Sequence, residues 1–213
     1  MIRFTMKSPI DRVLVAADNA LRTLFARTAP SRQTPGQGDA GPDAPMDRRH
    51  VAGLMRVDHA GEICAQALYA GQSTMARDPR VREALENAGA EERDHLAWCE
   101  ERLRELGSRP SLLAPFWYAG SFALGMVSGA AGDRWSMAFL VETERQVEKH
   151  LDGHIERLPP GDARSRAILD QMRKDEVAHA ATGRSLGAAE LPAPVKAAMR
   201  VAAKVMTETA YRI

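Results

Sequence analysis

The sequence predicts an all-α protein, and three observations support this prediction. Helix-forming residues, above all Ala, Leu, Glu, Arg and Met, dominate the 213 residues, whereas aromatic residues make up only 5%. No segment shows the alternation of apolar and polar residues that is typical of a half-buried strand. Apolar residues recur instead at spacings of three and four, and Pro and Gly divide this pattern into segments of helical length.

Net charge and cysteine content exclude several functions. A formal net charge of +1 lacks the basic excess of a nucleic-acid-binding surface, so we expect no nucleic-acid partner. The two cysteines, Cys64 and Cys99, form neither a CxxC motif nor a disulfide framework, which favours a reducing compartment. The N-terminus lacks a compact apolar run followed by a cleavage site, so no secretory signal is expected.

The first predicted element is a basic amphipathic helix over residues 1–27. Residues 1–33 carry six Lys or Arg but only two Asp, and apolar residues from Ile10 to Phe25 follow helical spacing. Such a helix either lies on a membrane surface or packs on its own domain, and its acid-poor start also resembles an organelle transit peptide. Residues 28–48 form a Pro/Gly-rich linker, so we expect the compact domain at 49–213.

Six helical segments are expected in the compact domain, each bounded by Pro or Gly. They cover about 49–77, 79–106, 111–131, 133–158, 163–187 and 192–210. The second begins after a cap at Asp78 and the fifth after a cap at Asp162. Short breaks join the first helix to the second and the fourth to the fifth as antiparallel hairpins, with one long crossover region between the hairpins.

Residues 110–132, within that crossover, contain no charged side chain. The segment is long enough to span a bilayer, but Pro115 and several glycines interrupt it. A buried or interfacial segment fits better, with aromatic side chains such as Phe116 and Trp117 at the level of the lipid headgroups. We therefore expect membrane-associating helices and peripheral attachment rather than a transmembrane span.

Two of the predicted helices carry a Glu and a His three residues apart within the apolar series. They are Glu92 and His95 in the second helix, and Glu176 and His179 in the fifth. Residues at i and i+3 share one face of a helix, so each pair is expected to point inward. One E-x-x-H motif is weak evidence, but two in the buried register indicate a shared site.

The helix before each motif contributes one further inward carboxylate. Glu144 lies in the apolar series of the fourth helix, and Glu62 lies on a partly apolar face of the first. Glu62 precedes Glu92 by 30 residues, and Glu144 precedes Glu176 by 32. Each half of the domain therefore offers one Glu followed by one E-x-x-H pair, which indicates an internal duplication.

Four carboxylates buried in one bundle need positive charge, because an isolated buried carboxylate is very unfavourable. No Lys or Arg falls in the inward series, so simple buried ion pairs are the weaker alternative. One Glu from each of two helices plus an E-x-x-H from each of two others is the pattern of ferritin-like di-iron and di-manganese proteins. Ligation without thiolate favours iron or manganese over structural zinc. The sequence therefore predicts a ferritin-like helical bundle that binds two metal ions.

Four further residues are candidates for positions just outside the ligands, where they would orient them. These candidates are Asp58, Glu91, His150 and Asp175. Asp175 and Glu91 each directly precede a motif Glu and are expected to accept from a ligand imidazole, although a solvated surface acid is an open alternative for Glu91. His150 is expected to line the same cavity. His154 is interpreted as an ordinary interfacial histidine, and Glu142 as a solvated carboxylate.

Five stretches of the sequence carry a resemblance to a known family: "RVDHAGE", "YAGQ", "EERDHL", "VETERQVEKHLDGHIERLP" and "RKDEVAHA". Together they resemble the demethoxyubiquinone hydroxylases of ubiquinone biosynthesis, and the resemblance covers about residues 51–211. It implies a di-iron monooxygenase that hydroxylates the ring of a demethoxyubiquinol with O2. Carried over by position, the iron ligands are Glu62, Glu92, His95, Glu144, Glu176 and His179. His150 matches a histidine close to the ligands in the family, and the tyrosine that often follows it in animal members is Leu151 here.

The resemblance also implies cofactors, partners and a location. It implies two Fe ions, O2 as co-substrate, a polyprenyl quinol substrate and peripheral attachment to the cytoplasmic face of the bacterial inner membrane, or alternatively to the matrix side of the mitochondrial inner membrane. Other ubiquinone-biosynthesis proteins and a homo-oligomer are further suggested partners. Residues 110–132 are the expected path for the substrate. Two other functions remain open, a ferritin-like iron-binding or ferroxidase protein and a non-enzymatic quinone-lipid-binding protein.

Overall fold

The computed structural model describes residues 9–26, 29–41 and 45–213. This described part contains seven α-helices and no strand, which confirms the all-α prediction. The helices are α1 (Pro9–Phe25), α2 (Pro45–Met75), α3 (Pro79–Glu105), α4 (Ala114–Ala130), α5 (Asp133–Arg157), α6 (Ala163–Ser185) and α7 (Ala193–Ala210). The expected helix ends lie within a few residues of these. The predicted helix over 1–27 is described only at 9–26, and the predicted linker only at 29–41 and from 45 onward.

The two helices that carry the E-x-x-H motifs begin at side-chain caps. Asp78 accepts a hydrogen bond from a first-turn N–H of α3, and Asp162 accepts one from the N–H of Ser165 in α6. Such caps satisfy backbone donors that have no partner within the helix. Both helices end just before a glycine with positive φ, Gly107 at 69° and Gly187 at 84°. The local sequence therefore fixes where each motif-bearing helix starts and stops.

Helices α2, α3, α5 and α6 form the bundle, in which α2 pairs mainly with α3 and α5 with α6. One apolar cluster near one end of the bundle includes Met55, Trp98 and Leu151. A second apolar cluster includes Leu85 and Leu140. Along α2, α3 and α5, the predicted metal ligands fall between the residues of these two clusters. The acidic layer is therefore enclosed by apolar layers on both sides.

Helix α4, which forms the crossover between the hairpins, packs closely along α2. A Cβ at Gly71 would lie 2.5 Å from the carbonyl oxygen of Phe122, and one at Gly125 would overlap the carbonyl of Leu68. Small residues therefore allow the two backbones to approach. Among the helices of the described ranges, none combines the length and apolarity that crossing a bilayer requires.

Helices α1 and α7 also pack against α2. Leu24 of α1 packs against an apolar cluster that includes Ile63 of α2 and Tyr118 of α4. Met206 of α7 packs against a small apolar cluster that includes Val57 of α2. The N-terminal helix thus contacts its own domain, while other apolar side chains along it remain exposed.

The predicted linker makes specific contacts over its described part, residues 29–41. The hydroxyl of Thr34 donates to Glu101 of α3 at 2.8 Å. Arg164 of α6 donates to the carbonyl oxygen of Pro35 at 2.8 Å. We call residues 29–41 the strap, because they lie across α3 and α6 rather than extending away from the bundle.

Candidate metal centre

All six predicted ligands are buried and come together in the bundle. They fall into two groups, and within each group the ligand atoms lie within 4.8 Å of one another. The first group comprises Glu62, Glu92, His95 and Glu176, and the second comprises Glu92, Glu144, Glu176 and His179. Glu92 and Glu176 therefore belong to both groups, and each half of the chain supplies one of them.

The two shared carboxylates each turn one oxygen toward each imidazole. Glu92 places Oε2 2.8 Å from Nδ1 of His95 and Oε1 3.2 Å from Nδ1 of His179. In the same way, Oε1 of Glu176 lies 3.4 Å from Nδ1 of His95, and its Oε2 lies 3.3 Å from Nδ1 of His179. By contrast, Glu62 is 3.6 Å from His95 alone, and Glu144 is 3.6 Å from His179 alone. Glu92 and Glu176 could therefore serve both ligand groups, whereas Glu62 and Glu144 could each serve one.

The outer nitrogen of each ligand imidazole faces an acid from the opposite motif-bearing helix. Nε2 of His95 on α3 lies 2.9 Å from Asp175 on α6, and Nε2 of His179 on α6 lies 3.0 Å from Glu91 on α3. An acid that accepts from Nε2 fixes the tautomer and leaves Nδ1 as the inward ligand atom. The structure thus places the candidates Asp175 and Glu91 on the imidazoles, in a crosswise arrangement.

The His95 side of the centre is covered by the strap. Arg32 donates to Asp175 through Nη1 and to Asp94 through Nε, each at 2.8 Å. Burial raises the pKa of Asp175, but hydrogen bonds from His95 and Arg32 outweigh it and hold this pKa below its usual value. Asp175 therefore stays ionised as an acceptor for His95.

The His179 side is more open. The side chain of Glu91 is 48% exposed. A cavity of about 400 Å³ reaches Glu91 and His179 and is also lined by Met137, Leu140 and Gly183. Its lining comes from α3, α5 and α6 and includes no residue of 110–132, the segment that we expected to form the substrate path. This cavity is thus formed by other elements than the segment 110–132.

The electrostatics of the cluster indicate a need for positive charge. Burial, together with the charge of Glu92, raises the pKa of Glu62 well above its ordinary value, and burial with the charge of Glu176 does the same to Glu144. Burial alone would lower the pKa of His95, but Glu92 and other neighbouring acids raise it well above normal. Oε1 of Glu92 has no hydrogen-bond partner. Four carboxylates and two imidazoles, which would give up their extra protons on binding, are a donor set that fits two divalent cations.

Tyr69 is a further residue of the site that the sequence analysis did not single out. It is 1% exposed, and its hydroxyl donates to Oε1 of Glu144. Burial first, and the charge of Glu144 next, raise its pKa well above normal, so the hydroxyl keeps its proton. A signal was available, because Tyr69 lies seven residues after Glu62 and hence on the same face of the helix.

Four side chains differ from their sequence-based interpretation. Asp58 and His150 do not contact the ligand imidazoles but meet His154, whose Nδ1 is 2.8 Å from Oδ1 of Asp58. His154 is only 3% exposed, so it is a core histidine rather than an ordinary interfacial one. Glu142 is 7% exposed, and the solvated interpretation was wrong, because Arg145 and Gln146 from the next turn donate to its carboxylate. Glu142 belongs to neither ligand group.

Comparison with known proteins reveals clear relatives. A family model described as "Ubiquinone biosynthesis protein COQ7" matches residues 49–210. Three similar proteins are each named 3-demethoxyubiquinol 3-hydroxylase. The one from Azoarcus sp. (strain BH72) is 57% identical over 206 residues, which is 95% of this chain and 99% of the relative. That from Dechloromonas aromatica (strain RCB) is 58% identical over 205 residues, 95% of this chain and 98% of the relative. That from Aromatoleum aromaticum is 58% identical over 207 residues, 96% of this chain and all of the relative.

Proposed function

The chain belongs to the family of the ubiquinone biosynthesis protein COQ7, and we propose that it uses two iron ions and O2 to hydroxylate the ring of a demethoxyubiquinol. It is a hydroxylase of ubiquinone biosynthesis, as its relatives are. The identity of the metal and the attachment to a membrane are the finer parts of this proposal. Each is supported by separate features of the chain.

The proposal of a two-iron centre rests on Glu92 and Glu176, because each of them belongs to both ligand groups. Carboxylate-rich ligation with one imidazole for each ion suits iron or manganese, and iron is the ion that supports oxygenase chemistry. Two iron ions bound here would supply the activation of O2 for attack on an electron-rich quinol ring.

The chain itself prepares the site. Asp175 and Glu91 hold the two imidazoles with Nδ1 inward. The Tyr69 hydroxyl holds one oxygen of Glu144, which limits how that carboxylate can turn. Apolar clusters on both sides of the acidic layer restrict water, which strengthens the electrostatic interactions within it.

Exposed apolar side chains support peripheral attachment to a membrane, where a polyprenyl quinol resides. Large apolar residues that are at least half exposed occur on all three helices that flank or cover α2. They are Leu14, Leu21 and Phe25 of α1, Phe116, Leu124 and Val127 of α4, and Val201 and Val205 of α7. A contiguous apolar face is typical of a surface that lies in the lipid headgroup region. We propose that this surface lies on the cytoplasmic face of the bacterial inner membrane, and the bacterial origin of the relatives named above favours this over the matrix side of the mitochondrial inner membrane.

The decisive experiment compares two acids on the same helix, Glu144→Gln and Glu142→Gln. Each protein would be loaded with Fe2+ without oxygen, and bound iron and quinol hydroxylation would be measured together. We expect two irons in the unaltered protein, and loss of hydroxylation with lowered iron in Glu144→Gln, because that carboxylate belongs to a ligand group. Glu142→Gln should keep both irons and most activity, because amide and carboxylate both accept from Gln146.

The opposite result for the two variants would reject the ligand assignment in α5. A protein that binds iron and oxidises Fe2+, yet never hydroxylates a demethoxyubiquinol, would instead support the iron-binding or ferroxidase alternative. Helical content measured by circular dichroism on each variant separates loss of a ligand from loss of the fold.

A further inference from the structure

Helices α2 and α5 bring a third set of metal-ligating side chains together outside the two-iron groups. His150 and His154 are four residues apart on α5, so they share one face, and their ring centroids are 3.9 Å apart. Asp58 faces them from α2. One ligand atom from each of the three residues lies within 4.8 Å of the others. None of the three belongs to either group of the two-iron centre.

The converging atoms of this set lack hydrogen-bond partners. Asp58 and His154 are each 3% exposed, yet both carboxylate oxygens of Asp58 and Nδ1 of His154 make no hydrogen bond. Nε2 of His150 is likewise buried without a partner. Buried polar atoms are nearly always satisfied in folded proteins, so such a concentration points to a bound ion or water.

The contact between Asp58 and His154 supports this interpretation. Nδ1 of His154 lies 2.8 Å from Oδ1 of Asp58, but the pair does not have hydrogen-bond geometry. Nε2 of His150 is 3.7 Å from the same oxygen. Separations of about 3 to 4 Å between donor atoms are those expected when each atom lies about 2.1 Å from one shared cation.

We propose that Asp58, His150 and His154 bind a third divalent transition-metal ion, separate from the two-iron centre. Two imidazoles and one carboxylate form a set that takes Zn2+ or Fe2+ and leaves further coordination positions for water. The His150 side chain is 31% exposed, which gives the ion a route from solvent. Burial and the neighbouring His154 lower the pKa of His150 to about 4, so its ring is neutral and able to ligate at neutral pH.

An ion at this position would link α2 to α5. These helices carry the terminal carboxylates Glu62 and Glu144, and Asp58 lies one turn before Glu62. The third ion would therefore hold together the two helices that each supply a single ligand to the two-iron centre.

Zinc counting tests the proposal. The unaltered protein, His154→Gln and a matched control, His50→Gln, would be prepared both metal-free and loaded with Fe2+. His50 is a partly buried histidine that pairs with Tyr211 and belongs to none of the three groups. Each sample would be incubated with Zn2+ and gel-filtered, and the retained zinc and iron would be measured. We expect the unaltered protein and His50→Gln to retain one zinc per chain more than His154→Gln, in both preparations.

Equal zinc retention by the unaltered protein and His154→Gln would overturn the proposal. Asp58→Asn provides a second test, should His154→Gln fold poorly, and it must lose the same single equivalent. Iron is counted before zinc is added, so a failure to bind two irons would be visible by itself. The zinc difference in the metal-free samples decides the third site whatever the iron count shows.

Discussion

The two ligand imidazoles are held by different partners, although their helices carry the same motif. Asp175, which accepts from His95, is itself fixed by Arg32 of the strap, whereas Glu91, which accepts from His179, is half exposed beside a cavity. The two halves of the centre are therefore chemically alike but differ in exposure and in how the outer partner of the imidazole is held. We expect the position beside His95 to bind its ion more tightly, because its outer partner is constrained.

Arg32→Ala tests this difference. Removing the guanidinium should weaken binding of one of the two irons by about tenfold, the lower part of the range seen when outer partners of ligands are altered. Arg32 acts through Asp175 and is 36% exposed, which keeps the effect modest. Competition with a chelator under anaerobic conditions would give both affinities. Arg93→Ala is the control, because Arg93 is exposed on the same helix as His95. Unchanged affinities in Arg32→Ala would contradict a role for the strap.

Sequence periodicity singled out the six residues that come together in the two groups, but not all of their surroundings. An inward face repeats within one helix, so Glu92 and His95 could be placed from their neighbours alone. Arg32, Tyr69 and His154 act on residues of other elements, and their partners depend on how the helices pack. The contacts of Arg32 span 62 and 143 residues of sequence, which no local pattern can reveal.

At the scale of elements, the close approach of α2 and α4 depends on where glycine falls. Positions 71 and 125 lie at the contact and have no room for a methyl group. Gly120, in the same helix α4, is exposed and would place a Cβ in open space. The glycines that interrupt the uncharged segment thus have different roles, although they look alike in the sequence.

Gly125→Ala and Gly120→Ala should therefore have opposite effects on the free energy of unfolding. Overpacking against the backbone of Leu68 should cost about 1–3 kcal/mol in Gly125→Ala. Gly120→Ala should be neutral or stabilising by up to about 1 kcal/mol, because Ala is the better helix former. Denaturant unfolding with the same metal content would measure both. Equal effects would show that α4 does not pack on α2 as described.

Helix boundaries could be predicted because caps and breakers are local signals. The contacts of the strap with the bundle could not be predicted in this way. Asp78, Asp162 and Gly107 mark the ends of α3 and α6 in the sequence itself. Residues 29–41 show no apolar periodicity, and their contacts with the bundle are polar. A polar segment that binds distant acids has the same sequence signature as a solvated linker.

At the scale of the whole molecule, the metal centre lies between two different surfaces. Helices α1, α4 and α7 cover α2 and expose large apolar side chains. The cavity beside His179 is lined from α3, α5 and α6. The exposed apolar side chains and the cavity beside His179 therefore lie on different elements of the molecule.

The membrane surface can be tested with side chains of α4. Phe116 and Val127 are 67% and 69% exposed, and they lie eleven residues apart, about three turns, so they share one face. Replacing both with Ser should weaken co-sedimentation with anionic liposomes about tenfold or more, because less apolar area enters the headgroup region. The control is Val177→Ser, which removes a 44% exposed valine from α6 and should bind as the unaltered protein does.

Iron content measured on each variant checks that the centre is intact. Alkaline carbonate should release the bound protein, since attachment is peripheral. Equal weakening by Val177→Ser, or binding that resists carbonate, would contradict a peripheral surface on α4.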